Sequence, residues 1–249
     1  MKSTSICPDC GGSGWKTQES EEQQGVTHCH CYHEHKVQRV IINASIPPRH
    51  AECSFENFEA MTPKLGLAKT TALHFVENYP LVDCGLLILG PCGVGKTHLA
   101  VSILRALVFR HGVNCLFYDF RELLKNIQHS FNPVVRTTEW QILQPVLQSE
   151  VLVLDDLGAE RPTEWVRDTF AYIINQRYNQ KRTTVITSNF EDREVNHQVL
   201  TDGSPVSSEE TLTERIGHRL RSRLYEMCKV IKIPGADFRI KVKQAQYQF

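Results

Sequence analysis

A parallel α/β fold, with helices on both faces of one sheet, is the architecture this sequence predicts, and three observations carry it. The apolar run Leu86-Leu87-Ile88-Leu89 opens directly into the glycine-rich segment Gly90-Pro91-Cys92-Gly93-Val94-Gly95-Lys96-Thr97. Four more short apolar runs follow, Cys115 to Tyr118, Val151 to Leu154, Thr183 to Thr187 and Val230 to Ile233, each separated from the next by helical segments. Such alternation needs a crossover between successive strands, which returns them all in one direction. Finally, 249 residues suffice for one full α/β core and a small appendage, but not for two large domains.

The appendage is expected at residues 1–50, which are rich in Cys, His, Gly, Glu and Gln and show little helical or strand periodicity. Cys7-Pro8-Asp9-Cys10 and Cys29-His30-Cys31 supply four thiolates in two tight pairs, and Gly11-Gly12-Ser13-Gly14 turns the chain after the first. Tetrahedral zinc suits four soft sulfur ligands, so Cys7, Cys10, Cys29 and Cys31 are the candidate ligands, with His28, His30, His33 and His35 open as substitutes. Val37 to Ile46 could form a short connecting helix, and Pro47-Pro48 marks a boundary to a main domain over residues 51–249. There a helix is expected from Pro63 to Tyr79, with Leu65, Ala68, Ala72, Phe75 and Val76 at helical spacing. Further helices are expected from Thr97 to Arg110 and from Trp165 to Tyr178, while Ser204 to Glu210 reads as a polar loop.

A glycine-rich turn between a buried strand and a new helix is built to hold phosphate. Gly90, Gly93 and Gly95 let backbone N–H groups curl around phosphate oxygens, and the helix beginning at Lys96 points its positive end at them. Lys96 adds a formal charge near the β- and γ-phosphates, and the Thr97 hydroxyl can ligate magnesium. The candidate nucleotide contacts therefore run from Gly90 through Pro91, Cys92, Gly93, Val94, Gly95, Lys96 and Thr97 to His98. Cys92 lies inside the loop, where N–H groups could lower a thiol pKa.

The strand Val151 to Leu154 ends in Asp155-Asp156, a costly pair of carboxylates unless a cation offsets their repulsion. Asp155 would bind magnesium, directly or through water, and Asp156 would orient and polarise a water attacking the γ-phosphate. Asn189, after Ile186-Thr187-Ser188, could hydrogen-bond that water or the γ-phosphate. Arg219 and Arg223 stand four apart on one helical face and could reach a neighbouring subunit's site as arginine fingers. Transfer to a small acceptor, or a zinc-dependent adapter that binds nucleotide without turnover, are the competing chemistries.

The phosphate loop, Leu154-Asp155-Asp156-Leu157-Gly158, the Thr187-Ser188-Asn189 turn and the segment Arg215 to Arg223 together resemble the DnaC/DnaI/IstB group of AAA+ ATPases, over about residues 52 to 240. The resemblance implies an AAA+ P-loop NTPase with a five-stranded parallel sheet ordered 5-1-4-3-2. It also implies homo-oligomers with ATP between subunits, and single-stranded DNA along the inner surface. Phe55-Glu56-Asn57-Phe58 resembles the segment that enters the nucleotide site in this group, making Phe55 and Phe58 candidates for adenine contact. A cysteine-rich head matches the N-terminal zinc-binding domain with which some loaders grip the replicative helicase. The function implied is ATP-dependent loading of a replicative DNA helicase onto single-stranded DNA; the alternative is an IstB-type helper of a transposase. One departure is that no C-terminal helical lid is expected after Ile233, which removes the usual support for a second sensor and leaves Arg239 as its candidate.

Composition is consistent with this. Lys plus Arg and Asp plus Glu both number 28, so attraction to nucleic acid must come from local asymmetry. From Arg215 onward, Arg219, Arg221, Arg223, Lys229, Lys232, Arg239, Lys241 and Lys243 face only Glu226 and Asp237. The start Met1-Lys2-Ser3-Thr4-Ser5 lacks an apolar signal core, and no run approaches the about 20 apolar residues that span a bilayer, so no membrane role and a cytoplasmic location are expected. Nine cysteines in a reducing compartment are expected as metal ligands or small buried groups rather than disulfides.

Overall fold

The computed structural model describes residues 7–20, 23–32, 44–192 and 210–240. Five parallel strands form the main sheet: β3 (Gly85–Leu89), β4 (Cys115–Asp119), β5 (Val151–Asp155), β6 (Thr183–Ser188) and β7 (Cys228–Lys232). Their spatial order is β4-β5-β6-β3-β7. Counted from the first strand of this sheet and read from the other edge, that is 5-1-4-3-2, as expected. The last strand begins two residues earlier than its apolar run, because Leu89 pairs with Lys232 and Gly85 with Cys228. Lys229 and Lys232 are exposed on this edge strand, where charge discourages pairing with a further strand.

The strand residues divide between two cores with period two. Leu86, Ile88, Val151, Val153 and Val185 pack on one face with α1 (Pro63–Asn78) and α2 (Lys96–His111). Leu87, Leu89, Leu152, Leu154 and Ile186 pack on the other with α3 (Phe120–Ser130), α4 (Glu139–Gln148), α5 (Glu164–Asn179), α6 (Leu212–Ile216) and α7 (His218–Met227). Helices on both faces explain why the strands read as unbroken apolar runs. On α2, Leu99, Ile103 and Leu107 are fully buried, each burial favouring the fold by about 1.5–3 kcal/mol. Thr62, Asp119 and Thr163 accept the N-terminal N–H groups of α1, α3 and α5, so the polar residues before these helices fix where they start.

Two elements were not anticipated. Helix α4 carries Pro145 in its interior, a residue that argues against a helix, yet a capping box between Thr138 and Gln141 and the burial of Leu143, Val146 and Leu147 hold it. In the N-terminal region the chain forms an antiparallel hairpin, β1 (Trp15–Ser20) with β2 (Gln23–His28). The main body also begins upstream of residue 51: Ala44 is fully buried, and its carbonyl accepts the Phe117 N–H at 2.7 Å. The connecting helix expected from Val37 to Ile46 and the loop from Ser204 to Glu210 fall mostly outside the described residues. Among the described residues, no helix is long and apolar enough to cross a membrane.

At the edge of the sheet where the strands start, Arg177 is fully buried. Its guanidinium donates to Val146 O at 2.7 Å, Ser149 O at 3.0 Å, Thr183 O at 2.6 Å and Thr184 Oγ1 at 3.0 Å, so it joins the end of α4 to the start of β6. All four acceptors are neutral, and burial lowers the Arg177 pKa to about 9. Truncating it would strand several carbonyls without donors. Arg177→Ala is expected to lower unfolding free energy by about 2–4 kcal/mol, measured by urea denaturation; a change within experimental error would refute this role.

Candidate functional site

The C-terminal ends of β3, β5 and β6 converge on the start of α2. Gly95 takes φ +98° as it caps α2, a backbone shape that calls for glycine, and a Cβ there would lie 3.0 Å from the Phe58 ring, which would have to shift. Lys96 is buried, and its Nζ donates to Pro91 O at 2.7 Å and to Asn189 Oδ1 at 2.6 Å. Burial holds its ammonium below the ordinary lysine pKa. Within the loop Val94 is buried and Cys92 is exposed.

Asp155 lies at the base of the site. The hydroxyls of Thr97 and Thr187 donate to its two oxygens at 3.0 and 2.6 Å. Desolvation by burial nevertheless raises its pKa to about 6. Asp156 is half-buried in the left-handed region at φ +58°, where its N–H donates to Thr187 Oγ1 at 2.9 Å and its carboxylate accepts from the Asn189 amide. Burial, then the charge of Asp119, raises its pKa. Thus Lys96, Thr97, Asp155, Asp156 and Asn189, spread over 94 positions of sequence, meet in one hydrogen-bonded network. Thr187 links the Asp155 carboxylate to the Asp156 backbone N–H, and Asp119 adds a third negative charge from the neighbouring strand end, in register with Asp155. Neither residue had been assigned a role; pairing of β4 and β5 puts Asp119 there. A buried carboxylate beside a hydroxyl, with two more carboxylates nearby, is a donor set that suits a hard divalent cation.

Beside the loop lies a cavity of 510 Å³ lined by Phe58, Met61, Leu65, Gly93, His98 and Phe238, among others. Phe58 meets the His98 ring edge-on at 5.3 Å. His98 Nε2 is 3.0 Å from Ser54 O and 2.9 Å from Asn57 Oδ1, tying this segment to α2. Phe55 is placed differently from the expectation: it is buried in the core and does not line the cavity.

The arginines lie apart from this network within the chain. Arg219 is exposed on α7, whereas Arg223 donates to Asn175 Oδ1 and stacks over Tyr178 at 4.9 Å, both on α5. Arg239 is exposed next to Asp237, with Nε 3.6 Å from Oδ1.

In the hairpin region the sulfurs of Cys7, Cys10, Cys29 and Cys31 all lie within 4.8 Å of one another. The Cys7–Cys29 separation of 3.8 Å matches the edge of a sulfur tetrahedron with metal–sulfur bonds of about 2.3 Å. The Cys10–Cys31 hydrogen bond lowers the Cys10 pKa to about 6 and, with burial, raises that of Cys31, so one thiolate of the pair forms readily and the second needs a cation to hold it. Tight turns aim these sulfurs inward: Gly11 N–H donates to Cys7 O at 2.9 Å and Gly14 N–H to Cys10 Sγ at 3.3 Å. The four cysteines could hold a metal. His28 instead stacks between Trp15 and Tyr32, while His30 lies near Asp9; His33 and His35 fall outside the described residues.

The raised Asp155 pKa carries a sign. Between pH 3.8 and about 6 the folded chain retains a proton that the unfolded chain releases, so stability falls as pH rises through this window and stays lower above it. Asp155→Asn is therefore expected to raise the Tm of chelator-treated protein at about pH 8 but hardly at about pH 3, below both pKa values. Equal shifts at both, in thermal unfolding, would refute it.

A family model described as IstB-like ATP binding protein matches residues 27–246. The replicative helicase loader DnaC of Buchnera aphidicola subsp. Schizaphis graminum is 28% identical over 162 residues, covering 64% of each chain. Among solved structures, that of the DnaC helicase loader gives a TM-score of 0.62 at 33% identity, covering 75% of this chain and 99% of that one. The structure of DnaI gives 0.58 at 26% identity, covering 78% and 94%. With its phosphate loop, paired aspartates and sheet order in place, the chain belongs to the family of IstB-like ATP-binding proteins and has the AAA+ fold of DnaC and DnaI.

Proposed function

We propose that this chain is an ATPase that binds a replicative DNA helicase and loads it onto single-stranded DNA, with hydrolysis as the switch. The observation that carries the reading is the network joining Lys96 to Asn189, Asn189 to Asp156, and Asp155 to Thr97. It unites a phosphate-binding lysine, a candidate magnesium ligand pair and a carboxylate able to polarise water. Lys96 and the N–H groups of the loop hold the phosphates, Thr97 and Asp155 hold magnesium, and the adjacent cavity takes the base against Phe58 and His98. Magnesium, when bound, neutralises charge on the phosphates. Asp156 then accepts a proton from the attacking water, and Asn189 orients water or γ-phosphate. The finger role is given to Arg219, exposed on α7 and outside this network, in a homo-oligomer with ATP between subunits; Arg223 would serve only on leaving Asn175 and Tyr178.

Likeness to the replicative helicase loader DnaC supports the helicase as partner, and single-stranded DNA as the track is what the family resemblance implies. The four cysteines are read as a zinc site within residues 1–50, the unit that grips the partner. Asp156→Asn is expected to slow ATP hydrolysis by about 10²–10⁴-fold with ATP binding retained, whereas Lys96→Ala loses binding; unchanged turnover in Asp156→Asn would refute the assignment. Elemental analysis of the purified chain is expected to find about one zinc, lost in Cys10→Ser. Affinity purification of the full chain from its native host with a non-hydrolysable ATP analogue is expected to retain a replicative helicase. Recovery of a transposase in its place would establish the IstB-type reading.

A further inference from the structure

A segment from the far end of the chain lies along the phosphate loop. Beyond β7, Ile233 N–H donates to Leu89 O at 2.7 Å, and a Cβ at Gly90 would come within 2.1 Å of the Ile233 carbonyl oxygen. Four residues on, the segment touches the loop again at Gly93. Phe238 N–H donates to Gly93 O at 3.1 Å, and the Asp237 carboxylate rests on the Gly93 Cα, where a Cβ would lie 1.9 Å from Oδ1 and 2.1 Å from Cγ. Oδ1 also accepts the Arg239 N–H at 2.8 Å, and the Arg239 Nε is 3.6 Å away. Gly235, Ala236 and Phe238 line the cavity assigned to the base. The carboxylate is thus held on the loop by a backbone bond on either side of it.

A fixed negative charge at this place opposes the field of Lys96 and the loop N–H groups. Its cost to a bound anion grows with the charge of that anion, so a triphosphate is penalised more than a diphosphate. Arg239, whose Nε is 3.6 Å from Oδ1 and whose charge also acts on Lys96, is the opposing cation; its side chain is 58% exposed against 26% for Asp237, so water screens it more. We propose that Asp237 sets nucleotide affinity in this chain: its carboxylate, seated on Gly93, weakens nucleotide binding, and weakens ATP more than ADP. This rests on the reading of the loop as a nucleotide site.

The test is titration of the full-length chain with fluorescent ATP and ADP analogues in magnesium, for the wild type, Asp237→Asn and Asp237→Ser. Asn keeps the shape and the acceptor for the Arg239 N–H while removing the charge. Ser removes both charge and bulk, and serves if Asn does not fold. Either substitution is expected to tighten ATP binding about three- to tenfold, and ADP binding less, with the gain shrinking at high salt. A gain independent of salt, a gain only in Ser when both variants fold, or an affinity unchanged or weakened would overturn the proposal while leaving the nucleotide site standing. A wild type that binds neither analogue would overturn the nucleotide reading itself.

Discussion

The hydroxyls of Thr97 and Thr187 donating to opposite oxygens of Asp155 form the contact on which the site depends. Asp155 ends β5, an inner strand buried along its whole length, and is buried with its charge. A carboxylate there is tolerable only with donors on both sides, and those donors come from α2 and β6. The same contact therefore fixes the start of α2 relative to the sheet, and with it the curl of the phosphate loop. Thr187 also accepts the Asp156 N–H, which holds Asp156 in a left-handed conformation that a non-glycine residue adopts only when its surroundings require it. Strand ends, loop and second carboxylate are positioned by one small set of hydrogen bonds.

At the opposite edge of the sheet the logic is similar but the chemistry differs. Arg177 is a buried cation among neutral oxygens, joining α4 to the start of β6. The edge where strands end gathers carboxylates and one lysine, and the edge where they start is closed by an arginine. The first arrangement leaves charges that a cation or phosphate can meet. The second leaves the guanidinium enclosed by acceptors, which suits a structural tie.

Much of the site was legible in the sequence because each part is local. The phosphate loop is eight consecutive residues after an apolar strand, and Asp155-Asp156 and Asn189 lie at strand ends where a parallel sheet gathers polar side chains. His98 was legible as the residue after the loop, whereas Phe55 and Phe58 came from family resemblance, which could not separate them; both pack in the core, and of the two Phe58 also lines the cavity. The hairpin β1–β2 was missed because its strands carry Lys16, Thr17, Gln18 and Glu19, with no apolar alternation to betray them. A cluster of four sulfurs, and not an apolar face, forms the interior beneath that hairpin.

By itself, then, the sequence determined the α/β class, the phosphate loop, the paired aspartates and the cysteine pairs, because those follow from periodicity and from residue types at short spacing. The sheet order followed from family resemblance. Only the tertiary structure decided which distant groups meet: Asp119 beside Asp155 through strand register, Thr187 between the two aspartates, Arg223 occupied on α5, and Asp237 seated on Gly93. The physical reason is that hydrogen bonds and electrostatic fields act over a few ångströms of space. Chain separation of tens to more than a hundred residues carries no trace of such proximity until the sheet has brought the ends together.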